Sequence, residues 1–185
     1  MSDDVTGTPT HTPTPGSADP HPTDAGTAHR HAVVIVASTR AAAGQAEDTT
    51  GPVLVGWLRD RGFAVPDPVV VADGEPVRDA LLAALTGHPS VVVTTGGTGL
   101  SLTDHTPEVT EPLLERRLPG LVHALAARGA ESTPTAVLSR GAAGTVGRTF
   151  VVNLPGSTGG VRDGIAVLDP ILDHLCGQLE GRHEH

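Results

Sequence analysis

VVVTTGGTGLSLTDHTPE, Val91 to Glu108, sets β-branched residues directly ahead of a glycine-rich loop, and the loop ahead of Asp104, His105 and a Thr-Pro pair. The apolar start reads as a strand buried on both faces. Thr106-Pro107 suits a helix entrance, because proline is tolerated in a first helical turn. Strand, glycine loop and helix in that order are the core of a β-α unit, in which bare backbone lets a ligand approach closely and offers N–H donors to anions.

The pattern repeats to either side. Ala32–Ser38 is another continuous apolar run. Gly51–Phe63 carries apolar residues at Val53, Leu54, Trp57 and Leu58 with helical spacing. Val69–Ala72 predicts a second short strand. Val77, Leu81, Leu82 and Leu85 share a face of a helix that Gly87 closes. Beyond the loop, Pro107–Gly129 predicts a helix pair, or one helix kinked near Pro119. Thr135–Ser139 and Thr149–Leu154 flank a glycine-rich turn and predict a hairpin. A last helix follows, broken near Pro170. Alternating strands and helices predict a three-layer α/β/α domain with a mainly parallel sheet and an antiparallel edge hairpin.

The chain has 185 residues, enough for one such domain. Residues 1–30 are rich in Thr, Pro, Asp, Gly and His and almost free of apolar side chains, so a disordered tail is expected there, with the domain over 31–180 and a disordered C-terminus over 181–185. The formal net charge of -9 and the near absence of aromatics argue against nucleic-acid binding. No apolar run is long enough to span a membrane. The single cysteine, Cys176, excludes an internal disulfide and fits a reducing, cytoplasmic setting. It lies within a helix with no basic neighbour, as a core residue does.

The loop obeys neither common phosphate code. A P-loop needs a lysine after its last glycine, and this chain contains no lysine; the dinucleotide fingerprint needs a glycine where Leu102 stands. Taken alone, Asp104 reads as a helix cap and Asp73 as a turn residue. Together, at the carboxyl ends of adjacent strands beside a glycine loop, they favour a shared Mg²⁺, which binds through one or two carboxylates plus phosphate. Asn153–Gly160, NLPGSTGG, again follows a strand-like run and opens a helix, so it is either a second anion cradle or a plain cap by Ser157 or Thr158.

TTGGTGLSLTDHTPEVT, PTAVLSRGAAG and VVNLPGSTGGVRDG, in this order and spacing, resemble the molybdopterin-binding domain of the MogA/MoaB proteins of molybdenum cofactor biosynthesis, over Ala32 to about Leu179. The resemblance implies a homotrimer or hexamer and adenylylation of molybdopterin by ATP with Mg²⁺, releasing pyrophosphate. It also implies work beside a molybdenum-insertion partner protein. It assigns catalytic and metal-associated roles to Asp73 and Asp104. Gly96, Gly97, Thr98 and Gly99 match the nucleotide and phosphate loop, and Thr106 and Pro107 its helix entry. Ser139 and Arg140 match an LSR segment, and Asn153, Pro155, Gly156 and Ser157 the second loop. Asp48 matches an acid after the first long loop.

Three departures stand out. Thr39 replaces an acid that often follows the first strand. Thr103 replaces an arginine that often precedes the catalytic acid, and Thr158-Gly159 stand where a lysine is common. Each lost charged hydrogen bond to a phosphate costs roughly 1.5–3 kcal/mol, or about 10–150-fold. Arg40, Arg140 or Arg162 are the candidates to replace the missing cations. If none does, the implied function shifts to a non-catalytic molybdopterin-binding carrier. A CinA-like nucleotide pyrophosphatase is a third reading, which the short chain disfavours.

Overall fold

The computed structural model describes residues 30–182. The expected disordered segments 1–29 and 183–185 lie outside the described residues. Arg30, placed in the tail by composition, belongs to the folded unit: its guanidinium donates to Glu180 at 2.7 Å and Asp173 at 2.8 Å and lies over the Phe63 ring.

Six strands form one sheet: β1 (Ala32–Ala37), β2 (Val69–Val71), β3 (Val91–Thr95), β4 (Arg116–Arg117), β5 (Ala143–Val146) and β6 (Thr149–Leu154), in the order β2-β1-β3-β6-β5-β4. The first four in that order are parallel; β5 runs antiparallel to β6 and to β4. Successive side chains of a strand face opposite layers. Val34, Val36, Val91, Val93, Phe150, Val152 and Leu154 therefore pack under α2 (Gly51–Asp60), α6 (Thr158–Leu168) and α7 (Leu172–Leu179), with α5 (Pro119–Ser132) against the same layer. Ile35, Ala37, Val92 and Val151 pack under α3 (Glu75–Thr86) and the short α4 (Thr106–Thr110) on the other side. A one-turn α1 (Thr39–Ala42), capped by Ser38, follows β1 and buries nothing. The three layers, the mainly parallel sheet and the antiparallel edge agree with the expectation. The break near Pro170 is real, lying between α6 and α7.

Two expectations are corrected. The hairpin's first arm is Ala143–Val146, not Thr135–Ser139; the latter run instead forms a 3₁₀ turn over Pro134–Leu138. The proline opening that turn removes an N–H that a ladder would need. The true arm, AGTV, is made of small residues with little pattern to read. One of them, Gly144, has no room for a side chain against the Arg116 carbonyl. Nor does a helix pair fill 107–129. α4 gives way to a 3₁₀ turn at Glu111–Leu113, and Arg116-Arg117 then pair with Thr145 and Gly144 as an edge strand before α5 begins at Pro119. Among the described residues no helix is long and apolar enough to cross a membrane.

The sheet places its four parallel strands with their carboxyl ends at one edge. β1 connects outward to β2, and the chain then crosses back to β3 on the other side of β1. This reversal leaves a crevice between β1 and β3, the place where open α/β sheets bind ligands. This chain's cavity opens one strand further along, beyond β3 and β6, and Asn153 of β6 holds the frame beneath it. Asn153 is 2% exposed, its amide donates to the hydroxyls of Thr94 at 2.9 Å and Thr110 at 3.0 Å, and its Oδ1 accepts from Ala142 N at 2.9 Å. Asn153→Ala is expected to cost about 2–4 kcal/mol in urea unfolding, since it strands a buried N–H and opens a void. A cost below about 1 kcal/mol would show that the three bonds are not holding β6 in place.

Candidate functional site

Two glycine loops meet beyond the carboxyl ends of β3 and β6. Gly96, directly after β3, has φ +95° and no space for a Cβ, which would overlap the carbonyl oxygen of Ala37 on β1. Its N–H donates to Leu154 O at the end of β6, at 3.1 Å. From the β6 side, a Cβ on Gly156 would lie 2.9 Å from Gly96 Cα. Thr95 donates its hydroxyl to Pro155 O at 2.8 Å. The first loop and the NLPGS loop are thus stacked backbone on backbone.

They open on a cavity of about 470 Å³. Gly97, Thr98, Gly99 and Asp104 line one side, and Pro155, Gly156 and Ser157 the next. Ser139 and the edge of Asn153 complete the predicted members. Its far wall is the apolar face of α5, with Val122, Leu125, Ala126 and Gly129, backed by Leu138. Sequence reasoning missed this wall and also Asp163, which lines the cavity from α6, accepts from Ser132 Oγ at 3.2 Å and lies 3.5 Å from the Arg128 guanidinium. The readable signal was the helical spacing of Val122, Leu125, Ala126 and Gly129, although Val122 and Leu125 also pack against the core, so spacing alone does not separate wall from core.

Not every predicted residue faces the cavity. Thr106 and Pro107 are buried behind the loop: Thr106 N donates to Gly97 O at 3.1 Å, and its hydroxyl approaches Asp73 Oδ1 at 3.4 Å. Asp73 Oδ1 also accepts from Gly74 N at 2.7 Å and His105 N at 3.2 Å, so this carboxylate braces the start of α4. Its Oδ2 lies against Gly97, where a Cβ would overlap it. Ser157 does cap α6, accepting from Gly160 N at 3.0 Å, so the plain-cap reading holds. The capped end nevertheless points at the cavity, and the positive end of an 11-residue helix favours an anion there. Asp48 serves α2, with Oδ1 accepting from Thr50 N and Gly51 N, both at 2.9 Å.

Arg140 does not line the cavity, although Ser139 and Gly141 on either side of it do. Its Nε donates to Gly99 O at 2.8 Å, one terminal nitrogen to Asp104 O at 2.7 Å, and the other pairs with Glu108. Burial pulls the Glu108 carboxyl upward, but a backbone hydrogen bond and the guanidinium outweigh that and hold it below its usual value. The cavity lining contains no Arg, Lys or His. Phosphate there would be met by backbone N–H groups, by the α6 terminus and by a cation that the chain does not supply.

Two carboxylate oxygens are suited to such a cation. Asp104 Oδ2 would lie 2.6 Å from a Cβ on Gly99, inside the cavity, and its carboxylate meets no donor among the described residues. Asp73 Oδ2 flanks the same loop at Gly97. Among the described residues no group of three or more His, Cys, Asp or Glu could hold a metal ion. A hard ion completed by water and phosphate oxygens fits a two-carboxylate set; an ion needing a full protein cage does not.

Comparison with known proteins shows the family. The sequence profile described as "Probable molybdopterin binding domain" matches residues 33–174. The chain is 39% identical over 152 residues to the molybdenum cofactor biosynthesis bifunctional protein of Synechococcus elongatus, covering 81% of this chain and 47% of that protein. It therefore spans about half the length of that relative. It is 31% identical to the molybdopterin adenylyltransferase of Helicobacter pylori, over 83% of this chain and 89% of the relative. The Mog protein of Mycobacterium ulcerans superposes with a TM-score of 0.78 at 48% identity, covering 81% of this chain and 99% of that structure. By sequence profile, fold and loop geometry, the chain belongs to the molybdopterin-binding domain family of molybdenum cofactor biosynthesis.

Proposed function

We propose that this protein adenylylates molybdopterin: the terminal phosphate of the pterin attacks the α-phosphorus of ATP, one P–O bond forms, the bond to the β-phosphate breaks, and pyrophosphate leaves. The observation that carries this reading is the stacking of two glycine loops, Gly96–Gly99 and Gly156–Gly160, at the mouth of one cavity with Asp104 beside them. Transfer between two phosphates asks the protein chiefly to hold both and to offset their charge. Two backbone cradles in van der Waals contact answer the first demand. The apolar α5 wall suits a flat heterocycle attached to one of those phosphates. Asp104 and Asp73 would hold Mg²⁺, which supplies the positive charge that the cavity lining lacks. The adenylyltransferase of Helicobacter pylori, matched over nearly its whole length, supports the assignment, and the bifunctional relative, of which this chain spans about half, supports a partner in molybdenum cofactor biosynthesis.

A second reading, a non-catalytic molybdopterin carrier, is favoured by one observation, the absence of any basic side chain from the cavity lining. A single-turnover experiment separates the two. Purified protein mixed with molybdopterin, ATP and Mg²⁺ is expected to yield pyrophosphate and adenylyl-molybdopterin in equal amounts. Tight pterin binding with neither product would replace the transferase by the carrier.

A further inference from the structure

We propose that Arg140, oriented by Glu108, is a positioning residue that fastens the glycine loop and so aims Asp104 into the cavity, and that its charge is not used to bind phosphate. Among the described residues, the stretch Leu100–Thr103 makes no hydrogen bond outside the loop. Leu100 and Leu102 are 66% and 94% exposed. Its internal bonds, Ser101 with Thr103 and Asp104 N to Ser101 O, are all local. One guanidinium takes both of its ends, Gly99 O at the start and Asp104 O at the finish, beside the His105 N bond to Asp73 and the Thr106 N bond to Gly97 O. The backbone N–H of Arg140 adds Thr98 O at 2.9 Å, and Ser139 Oγ reaches Thr98 Oγ1 at 3.1 Å.

The geometry requires arginine. A planar fork can donate to two carbonyls and a carboxylate at once, whereas a lysine ammonium is a point charge on a flexible stem and cannot span the same three acceptors in fixed directions. The third acceptor, Glu108, sits one turn into the helix that Asp104 precedes, so the clamp ties loop, acid and helix together. The Arg140–Glu108 pair is exposed, and an exposed ion pair alone contributes little. Its role is to fix the rotamer from which the other two bonds are made. The three bonds the guanidinium makes all run to the loop and α4, and Arg140 does not line the cavity, so it is not the replacement for the cations missing around the loops.

The catalytic part of this inference rests on the proposed adenylylation; the clamp itself does not, so the test has one arm without substrate. Amide hydrogen exchange of ligand-free protein is compared for wild type, Arg140→Lys, Arg140→Ala and Glu108→Gln. Both arginine variants are expected to speed exchange at the hydrogen-bonded amides of Asp104, His105 and Thr106 by about 10-fold or more, with the β3 and β6 amides unchanged. Glu108→Gln should fall between them and wild type. In turnover, both arginine variants are expected to lower kcat by about 10- to 100-fold and to leave KM for ATP within about twofold. Arg140→Lys behaving as wild type in exchange and kcat, with Arg140→Ala raising KM for ATP or pterin 10-fold, would overturn the proposal in favour of phosphate binding. If the arginine variants fail to fold, Glu108→Gln decides: faster exchange confined to the loop supports the clamp, and unchanged exchange refutes it. A wild type that makes no product, with exchange as expected, would reject adenylylation and keep the clamp.

Discussion

Gly96→Ala is expected to be the most damaging single methyl group that can be added to this protein. The residue sits at φ +95°, a conformation that only glycine adopts at little cost, and the new Cβ would overlap the Ala37 carbonyl oxygen. That oxygen belongs to a buried strand at the centre of the sheet and has nowhere to go, so relief must come from moving β3 or the loop. Either movement breaks the Gly96 N–H bond to Leu154 O and parts the loop from Gly156. The cost should be about 3 kcal/mol or more in urea unfolding, with nucleotide and pterin affinity both lost in whatever remains folded. Gly159→Ala is the matched control. It lies in the first turn of α6 with open space around its would-be Cβ, and alanine there should leave stability equal or slightly raised. Equal stability of the two variants would mean that the loop at the switch point tolerates a side chain, and that its glycines are not what joins the two cradles.

The contrast between these glycines marks what the sequence can and cannot say. The strands facing two apolar layers were legible because Val, Ile and Leu run on without a polar break, and a continuous run followed by glycine can only be a buried parallel strand with its loop at the ligand edge. The loops' chemistry was legible in the same way: TGGTG and NLPGS bring backbone, not side chains, to the edge. The edge strands were not legible. AGTV carries no period-two signal, and Arg116-Arg117 pairs with it for two residues only, through the side-chain-free face of Gly144. Nor could the sequence divide the site's polar residues into those that face a ligand and those that hold the frame. Arg140 and Asp73 share motifs with cavity-lining residues, and Asn153 shows the cavity only an edge, because their donors or acceptors are engaged by backbone or side chains of distant segments. Spacing along the chain places a residue at the edge; which way its side chain turns is set by partners 30 to 60 positions away.

That division gives the two acids different expected phenotypes. Asp104→Asn should slow adenylylation on the order of 100-fold or more and leave unfolding free energy within about 0.5 kcal/mol, because its carboxylate lines the cavity and meets no donor among the described residues. In the proposed mechanism Asp73 is both ligand and brace. Asp73→Asn retains an oxygen for the N–H groups of Gly74 and His105 but loses the charge, so rate and Mg²⁺ affinity should fall while stability changes little. Asp73→Ala removes the acceptor as well, and about 1–3 kcal/mol of stability should go with it, since two backbone donors and the Thr106 hydroxyl lose their partner. Isothermal titration with Mg²⁺ and a nonhydrolysable ATP analogue, run beside urea unfolding for all three variants, reads both quantities. Asp104→Asn at near-wild-type rate would remove the cavity-facing acid from the mechanism and leave the carrier reading in possession of the site. Loss of rate in Asp73→Ala alone, tracking its loss of stability, would show that the second acid acts only by holding α4, and that whatever cation enters the cavity does so on Asp104 and phosphate oxygens without it.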